Sequence, residues 1–180
     1  MKKSTKWFAS VVVTCTMLST IILMYAAAVP LTDTSNHWAE STIKWAQENE
    51  VVDGYPDGSF LPDKQITEAE FLGMFSKAYG IKPVPNNKMN HWADAIYDFA
   101  KQQNYPMNGF ADAAIRNEAI NRQKVAEIIV GSVGYNFTSG DAIQYLLAKG
   151  YSSGKDSATI EGYKGADSLT RAEAIHLLRT

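Results

Sequence analysis

The chain is poor in cysteine and histidine, and both shortages narrow its chemistry. One cysteine, Cys15, stands among 180 residues, so no disulfide can form within the chain and no Cys-x-x-Cys pair can hold a metal or cycle electrons. Of the three histidines, His37 and His91 are each followed within a turn by a single carboxylate, Glu40 and Asp94. That spacing does not make a zinc site, and no metal is expected. His176 reads as a surface or packing residue. No nucleophile elbow, cysteine nucleophile or glycine-rich phosphate loop is present, and nothing marks two of the carboxylates as a glycosidase pair. Neither catalysis nor a cofactor is expected.

Positive charge and long apolar runs are also scarce. The formal net charge is −2, and it falls to −5 over residues 29–180, where 14 basic residues face 19 acidic ones. Such a balance excludes nucleic acid as a natural partner. The one long apolar run is N-terminal: Lys2, Lys3 and Lys6 precede a stretch without charge from Trp7 to Thr32. Ala26-Ala27-Ala28 supplies a small-x-small site, so residues 1–28 read as a secretory signal cut before Val29. The 22 residues from Trp7 to Ala28 are also long enough to span a bilayer, which leaves an uncleaved anchor as the other reading and the only expected membrane contact. Val12-Val13-Thr14 before Cys15 is a poor lipobox, and lipidation is not expected. Residues 29–180 suffice for a single domain with its own core.

What the sequence does contain is a repeat. His37-Trp38-Ala39 returns 54 residues later as His91-Trp92-Ala93. The loop Asp53-Gly54-Tyr55-Pro56-Asp57 returns as Asn108-Gly109-Phe110-Ala111-Asp112, and Ile66-Thr67-Glu68-Ala69-Glu70 as Ile120-Asn121-Arg122-Gln123-Lys124. A fainter third copy keeps Ala142-Ile143-Gln144-Tyr145-Leu146, then Gly154 to Ile160 at the spacing of Gly54 to Phe60, then about three extra residues and Leu169-Thr170-Arg171-Ala172-Glu173, but has no His-Trp. The units span residues 32–82, 87–135 and 136–180.

Each unit reads as helix, loop, helix. Ala39, Ile43 and Ala46 fall at helical spacing, and Ala69, Leu72, Phe75 and Tyr79 mark a second helix stopped by Gly80. The second unit predicts helices over Ala93–Asn104 and Arg122–Val133, with Gly134 as the stop. The third predicts Ala142–Lys149, stopped at Gly150 and capped by Thr138 or Ser139, and Arg171–Arg179. Lys82-Pro83-Val84-Pro85-Asn86-Asn87 is the clearest linker. Thr67 with Glu70, and Thr170 with Glu173, are spaced as capping boxes. Gly54, Pro56, Asp57 and Gly58 are turn formers, with Phe60 and Ile66 as apolar plugs at the loop's edges. A helix pair of this length cannot bury its stripe alone, so an all-α fold around a shared helical core is expected.

Taken together, Asp33-x-x-x-His37-Trp38-Ala39, Gly54-Tyr55-Pro56-Asp57-Gly58-Ser59-Phe60-x-Pro62 and the Thr-x-Ala-Glu helix start resemble the surface-layer homology (SLH) motif. The resemblance is fullest in the first unit. The second unit shares the His-Trp-Ala and Gly-Phe portions, and the third shares mainly Leu169-Thr170-Arg171-Ala172-Glu173. It implies an SLH domain of three motifs in a pseudo-threefold, three-pronged arrangement. Grooves between motifs would hold a secondary cell-wall polysaccharide, typically pyruvylated, and the protein would be secreted to a Gram-positive cell wall or cell surface. An arginine in the Thr-Arg-Ala-Glu start is a ligand contact in that family. Here Arg122 and Arg171 stand at that position, and Glu68 replaces it in the first unit.

A cation at the first position of a helix opposes the macrodipole. Arg122 and Arg171 therefore suggest that the free N–H groups of the helix start and a guanidinium converge on a carboxylate. Glu68 would silence its own groove. Trp38 and Trp92 read first as core residues at helix starts and second as platforms for sugar rings. Tyr55 and Phe110 are loop candidates for stacking, while Gly54, Gly109 and Asp57 shape loops a glycan could approach closely. A second functional reading stays open. Without His-Trp in the third unit, and with Glu68 and Lys124 where Arg and the capping Glu would stand, the module could instead serve protein–protein interaction or regulation at the surface.

Overall fold

The computed structural model describes residues 30–85 and 90–179. The signal or anchor expected over residues 1–28 lies outside them, as does the end of the linker. Among the described residues the fold is helical and holds no strand. The elements run α1 (Glu40–Glu48), α2 (Glu68–Ala78), α3 (Asp94–Gln102), α4 (Arg122–Ser132), α5 (Ser139–Ala148), α6 (Ile160–Tyr163) and α7 (Arg171–Leu178). Two 3-10 turns, Asn108–Phe110 and Ala113–Asn117, lie between α3 and α4. No helix among the described residues is long and apolar enough to cross a membrane.

The second helix of each unit starts where its cap residue dictates. The Thr67 hydroxyl accepts from the Glu70 N–H at 3.1 Å, and the Glu70 carboxylate accepts from the Thr67 N–H at 2.9 Å. Thr170 and Glu173 repeat this capping box at 3.2 and 3.0 Å. In α4 the Asn121 side chain accepts from the Lys124 N–H at 2.8 Å, so one arm of the box survives the loss of the glutamate. Each cap contributes about 1 kcal/mol. Gly80, Gly134 and Gly150 follow α2, α4 and α5 at φ of 63°, 89° and 71°, the left-handed backbone that ends a helix without a Cβ penalty.

The residues just before these caps tie the units together. Ile66 N–H donates to Leu169 C=O at 3.0 Å, Leu169 N–H to Ile120 C=O at 2.9 Å, and Ile120 N–H to Ile66 C=O at 3.0 Å. These three bonds close a ring. A second set runs around it: Glu68 N–H to Glu118 C=O, Arg122 N–H to Asp167 C=O and Arg171 N–H to Lys64 C=O, at 3.1, 2.9 and 3.0 Å. The ring encloses Ile66 and Leu169, both fully buried, and Ile120, 3% exposed. Phe71, Leu72 and Phe75 of α2, Val125 and Ile128 of α4 and Ile175 of α7 join them in one core. Burying each such Leu, Ile or Phe contributes about 1.5–3 kcal/mol.

Phe60 and Ile66 are buried plugs as expected. In the third unit the plug is a different residue. Ile160 is 40% exposed, whereas Tyr163 is fully buried, because the extra residues form α6 and carry the plug three positions further along. Thr138 precedes α5, but its side chain makes no cap bond. Glu127 of α4 instead accepts from the Ser139 N–H at 2.9 Å. Burial works to raise the Glu127 carboxyl, yet bonds from Lys124, the Ser139 N–H and Gln123 hold it below the ordinary range.

Candidate functional site

The residues at the first position of α2, α4 and α7 all reach across a unit boundary. Arg122, 4% exposed, donates from Nε to the Tyr163 carbonyl at 2.9 Å and from Nη1 to Glu173 Oε1 at 3.1 Å. Its guanidinium lies 4.8 Å from the centre of the Tyr163 ring. Arg171, 7% exposed, donates from Nη2 to the Asp53 carbonyl at 3.1 Å and lies over Phe60 and Tyr55, 4.5 and 5.0 Å from their ring centres. Both arginines thus fasten the next unit's loop by its carbonyls. Burial pushes the Tyr163 phenol up to about 12.

Glu68 does the opposite with the opposite charge. It is 2% exposed and accepts from Tyr97 Oη at 2.8 Å, Asn108 N–H at 3.0 Å and Gly109 N–H at 2.7 Å. The second unit's loop therefore turns its N–H groups, not its carbonyls, toward the neighbouring helix. The cation above the aromatic ring is supplied locally, by Arg116, 4.1 Å from the centre of Tyr97. Arg116 also donates to the Gly109 carbonyl at 3.1 Å and pairs with Asp94. Burial, reinforced by the Glu68 carboxylate, drives the Tyr97 phenol far above its ordinary value.

These contacts correct the mechanism expected at the helix starts. The N–H groups of Arg122 and Arg171 are taken by the carbonyls of Asp167 and Lys64, and those of Gln123 and Ala172 by Gly165 and Pro62 at 2.8 and 3.0 Å. They are not free to join a guanidinium on a ligand carboxylate.

The cleft between the third and first units has a volume of about 890 Å3. One wall is the Gly150–Lys155 loop, with Ser152, Ser153 and Gly154. The other carries Trp38 and Asp63, and Arg122, Asp167, Ser168, Thr170, Glu173 and His176 are among the other lining residues. Trp38 is 60% exposed, so the reading of this residue as core is overturned. Its ring meets His176 edge-on at 5.6 Å, and its backbone is set by His37, whose Nδ1 accepts from the Ala39 N–H at 3.1 Å and whose Nε2 lies 3.2 Å from Asp63. Lys155 and Asp167 pair at 2.6 Å across the mouth, and this contact raises the lysine and lowers the aspartate. Arg122 and Lys155 thus each have a carboxylate partner within the chain. The cleft presents hydroxyls, mixed charges and one flat indole, a lining that suits a polyhydroxylated ligand. Lys155, in its half-exposed pair, is the cation that a ligand's carboxylate could most readily engage.

The corresponding pocket of the second unit is smaller, about 210 Å3, and is lined by Glu68, Asn108, Glu118, Asn121 and Lys124 among others. Lys124 stands where Glu173 stands in the large cleft. It pairs with Glu127.

The expected site residues are therefore spread over several places. Trp38 and Arg122 share the large cleft. Arg171, Tyr55 and Gly54 cluster at the first unit's loop. Trp92, also 60% exposed rather than core, lies over Gly73 of α2. Gly109 is enclosed by Glu68, Tyr97 and Arg116, and Phe110 stands edge-on to Tyr97 at 5.9 Å. Asp57 folds back onto Ser59, accepting from its N–H and hydroxyl at 2.9 and 2.7 Å; these bonds lower its carboxyl. Lys155, Asp167 and the serines of the third loop were not singled out by the sequence. Their one signal is their place after the third Gly150 stop, ahead of a helix start. Glu40 and Asp94, each a turn from a histidine, accept N–H bonds from Asn36 and from Asn90 and His91. Among the described residues no three His, Cys, Asp or Glu side chains converge to hold a metal.

The sequence model of the S-layer homology domain matches residues 30–72. The chain is similar to a cellulosome-anchoring protein of Acetivibrio thermocellus, 30% identical over 121 residues, 61% of this chain and 27% of that protein. It also resembles cell surface glycoprotein 1 of the same organism, 30% identical over 107 residues, 50% of this chain and 5% of that protein. An uncharacterized cell wall amidase of Bacillus anthracis is 24% identical over 169 residues, 82% of this chain and 31% of that protein. The chain thus spans under a third of the length of each.

Proposed function

We propose that this chain, which carries an S-layer homology domain at residues 30–72, is a non-catalytic glycan-binding module at the cell surface. It attaches without covalent bonds to a secondary cell-wall polysaccharide bearing pyruvate ketals. The cleft between its third and first units receives the glycan. Trp38 offers its face to a sugar ring, Ser152, Ser153, Ser168 and Thr170 exchange hydrogen bonds with hydroxyls, and Lys155 engages the ketal carboxylate in place of Asp167. Arg122 holds the loop and Glu173 in position from beneath.

The observation that carries this reading is the cleft itself: about 890 Å3 of hydroxyl-rich space with an exposed indole on one wall. The anchoring and surface functions in the names of two relatives support the location. The closed ring Ile66, Ile120, Leu169 supports a pseudo-threefold arrangement of three motifs over residues 29–180. The export segment at residues 1–28 would deliver the module to the wall.

The test is sedimentation of the protein with purified wall sacculi, before and after the accessory polysaccharide is stripped. Binding to intact sacculi that disappears on stripping is expected, and binding that survives it contradicts the reading. A protein-interaction role has one observation in its favour: the second unit's pocket is small and its Glu68 is already engaged by the chain's own Tyr97 and Gly109. Binding to stripped and intact sacculi alike, or to neither, would favour it.

A further inference from the structure

At the place where the first two units have His-Trp, the third has Phe137-Thr138, preceded by Tyr135-Asn136, and the rings of Tyr135 and Phe137 are not buried. Tyr135 is 47% and Phe137 39% exposed. They stack on each other at 5.3 Å with their planes 15° apart. Tyr145 of α5 contacts both, at 5.3 and 5.8 Å, and lies 6.4 Å from Tyr151. Tyr151 belongs to the lining of the large cleft. Four aromatic rings therefore run continuously from the cleft onto the outer face of α5.

Tyr145 and Tyr151 pack partly against the core, whereas Tyr135 and Phe137 stand exposed beside them, and contiguous exposed aromatics mark an interaction surface. Three of the four rings carry a hydroxyl, and the rim is polar: Asn136 and Gln144 are exposed, and the Lys149 ammonium lies 5.6 Å from the centre of Tyr145. Apolar faces with hydroxyls at their edges match the alternating C–H faces and hydroxyls of a sugar chain. The continuity through Tyr151 selects a long occupant that also enters the cleft.

We propose that Tyr135, Phe137, Tyr145 and Tyr151 form an extended subsite for a polysaccharide, on which sugars next to those in the cleft stack. The proposal rests on the cleft being the glycan site. It makes binding depend on chain length: the cleft takes the end group, and the ladder takes the residues that follow it.

The test compares two probes in calorimetric titration of the full chain: the long polysaccharide released from the wall, and fragments of one or two repeats made from it. Tyr135→Ala/Phe137→Ala is expected to weaken the long polymer about tenfold while leaving the short fragments unchanged. Phe137→Trp keeps an aromatic face and is expected to retain long-polymer binding. A double variant that is folded by circular dichroism and binds both probes like the parent overturns the ladder but leaves the cleft standing. A parent that binds neither probe overturns both. Concentration-dependent self-association of the parent that the double variant lacks would assign the surface to a second copy and overturn the proposal.

Discussion

The large cleft and the second unit's pocket stand at equivalent places in the repeat and carry opposite buried charges at the first helix position, Arg122 and Glu68. In the cleft, Arg122 donates to the Tyr163 carbonyl and to Glu173. In the pocket, Glu68 accepts from Tyr97, Asn108 and Gly109. The position itself does not require a cation. It requires a side chain that reaches across the boundary and fastens the next loop, and the loop turns carbonyls or N–H groups inward to suit. What changes is the space that remains. Around Arg122 a cleft of about 890 Å3 stays open, whereas Glu68 shares a pocket of about 210 Å3 with Lys124.

The largest effect that bears on this comparison is on stability. Glu68→Ala leaves a phenol and two N–H groups unpaired in a site that is 2% exposed, and it is expected to cost about 3–5 kcal/mol in urea unfolding. A cost below about 1 kcal/mol would show that the pocket tolerates an empty centre. Arg122→Ala removes the bonds to Tyr163 and Glu173, but Glu173 keeps partial access to water. A loss of about 2–3 kcal/mol is expected, together with weakened binding to sacculi.

Glycine substitution separates the two loops at a finer level. A Cβ at Gly109 would stand 2.6 Å from Arg116 Cγ, 2.8 Å from Tyr97 and 2.9 Å from Glu68, all held in the buried cluster. Gly109→Ala should cost about 1–3 kcal/mol in thermal unfolding. At Gly54 the closest atom is the end of the Leu31 side chain, also at 2.6 Å, which can rotate away; Gly54→Ala should cost distinctly less. Equal costs would refute the claim that the second unit's loop is the more tightly enclosed.

The smallest effect is on acid stability. N–H bonds from His91 and Asn90, with the Arg116 guanidinium, hold the Asp94 carboxyl down to about 2 from 3.8. Its folded value lies below its unfolded one, so its contribution is complete above the unfolded value and is lost as pH falls from about 3.8 toward about 2. Asp94→Asn should flatten that part of the pH–stability curve and leave the curve's shape above pH 5 unchanged. An unaltered acid limb would remove Asp94 as a source of it.

Much of the fold was legible because caps and glycine stops are local. Thr67, Thr170, Gly80, Gly134 and Gly150 each act where the spacing placed them, and the predicted helices match to within about three residues at either end. The site was less legible because it is assembled across units. Trp38 comes from the first unit, Arg122 from the second and Lys155 from the third, and a repeat alignment places such residues in register rather than in contact. The first unit shows the fullest family pattern, yet its loop is packed under Arg171 through Tyr55 and Phe60. The most worn unit supplies the wall of the large cleft. The Glu68 carboxylate is consumed in holding the next unit's loop, a contact between units that no local spacing signals. The shift of the plug from Ile160 to Tyr163 depended on α6, four residues long, too short to leave a periodic signal.

Trp38 and Trp92 provide the most direct test. Both are 60% exposed, and both follow a histidine that fixes the local backbone through Nδ1, so replacing either should leave the fold intact. They differ in setting: Trp38 faces the cleft, and Trp92 covers Gly73. Measured by sedimentation with intact sacculi, Trp38→Ala is predicted to weaken binding about tenfold, with Trp92→Ala close to the parent. Equal losses, or a loss with Trp92→Ala alone, would contradict the assignment of the glycan to the cleft between the third and first units.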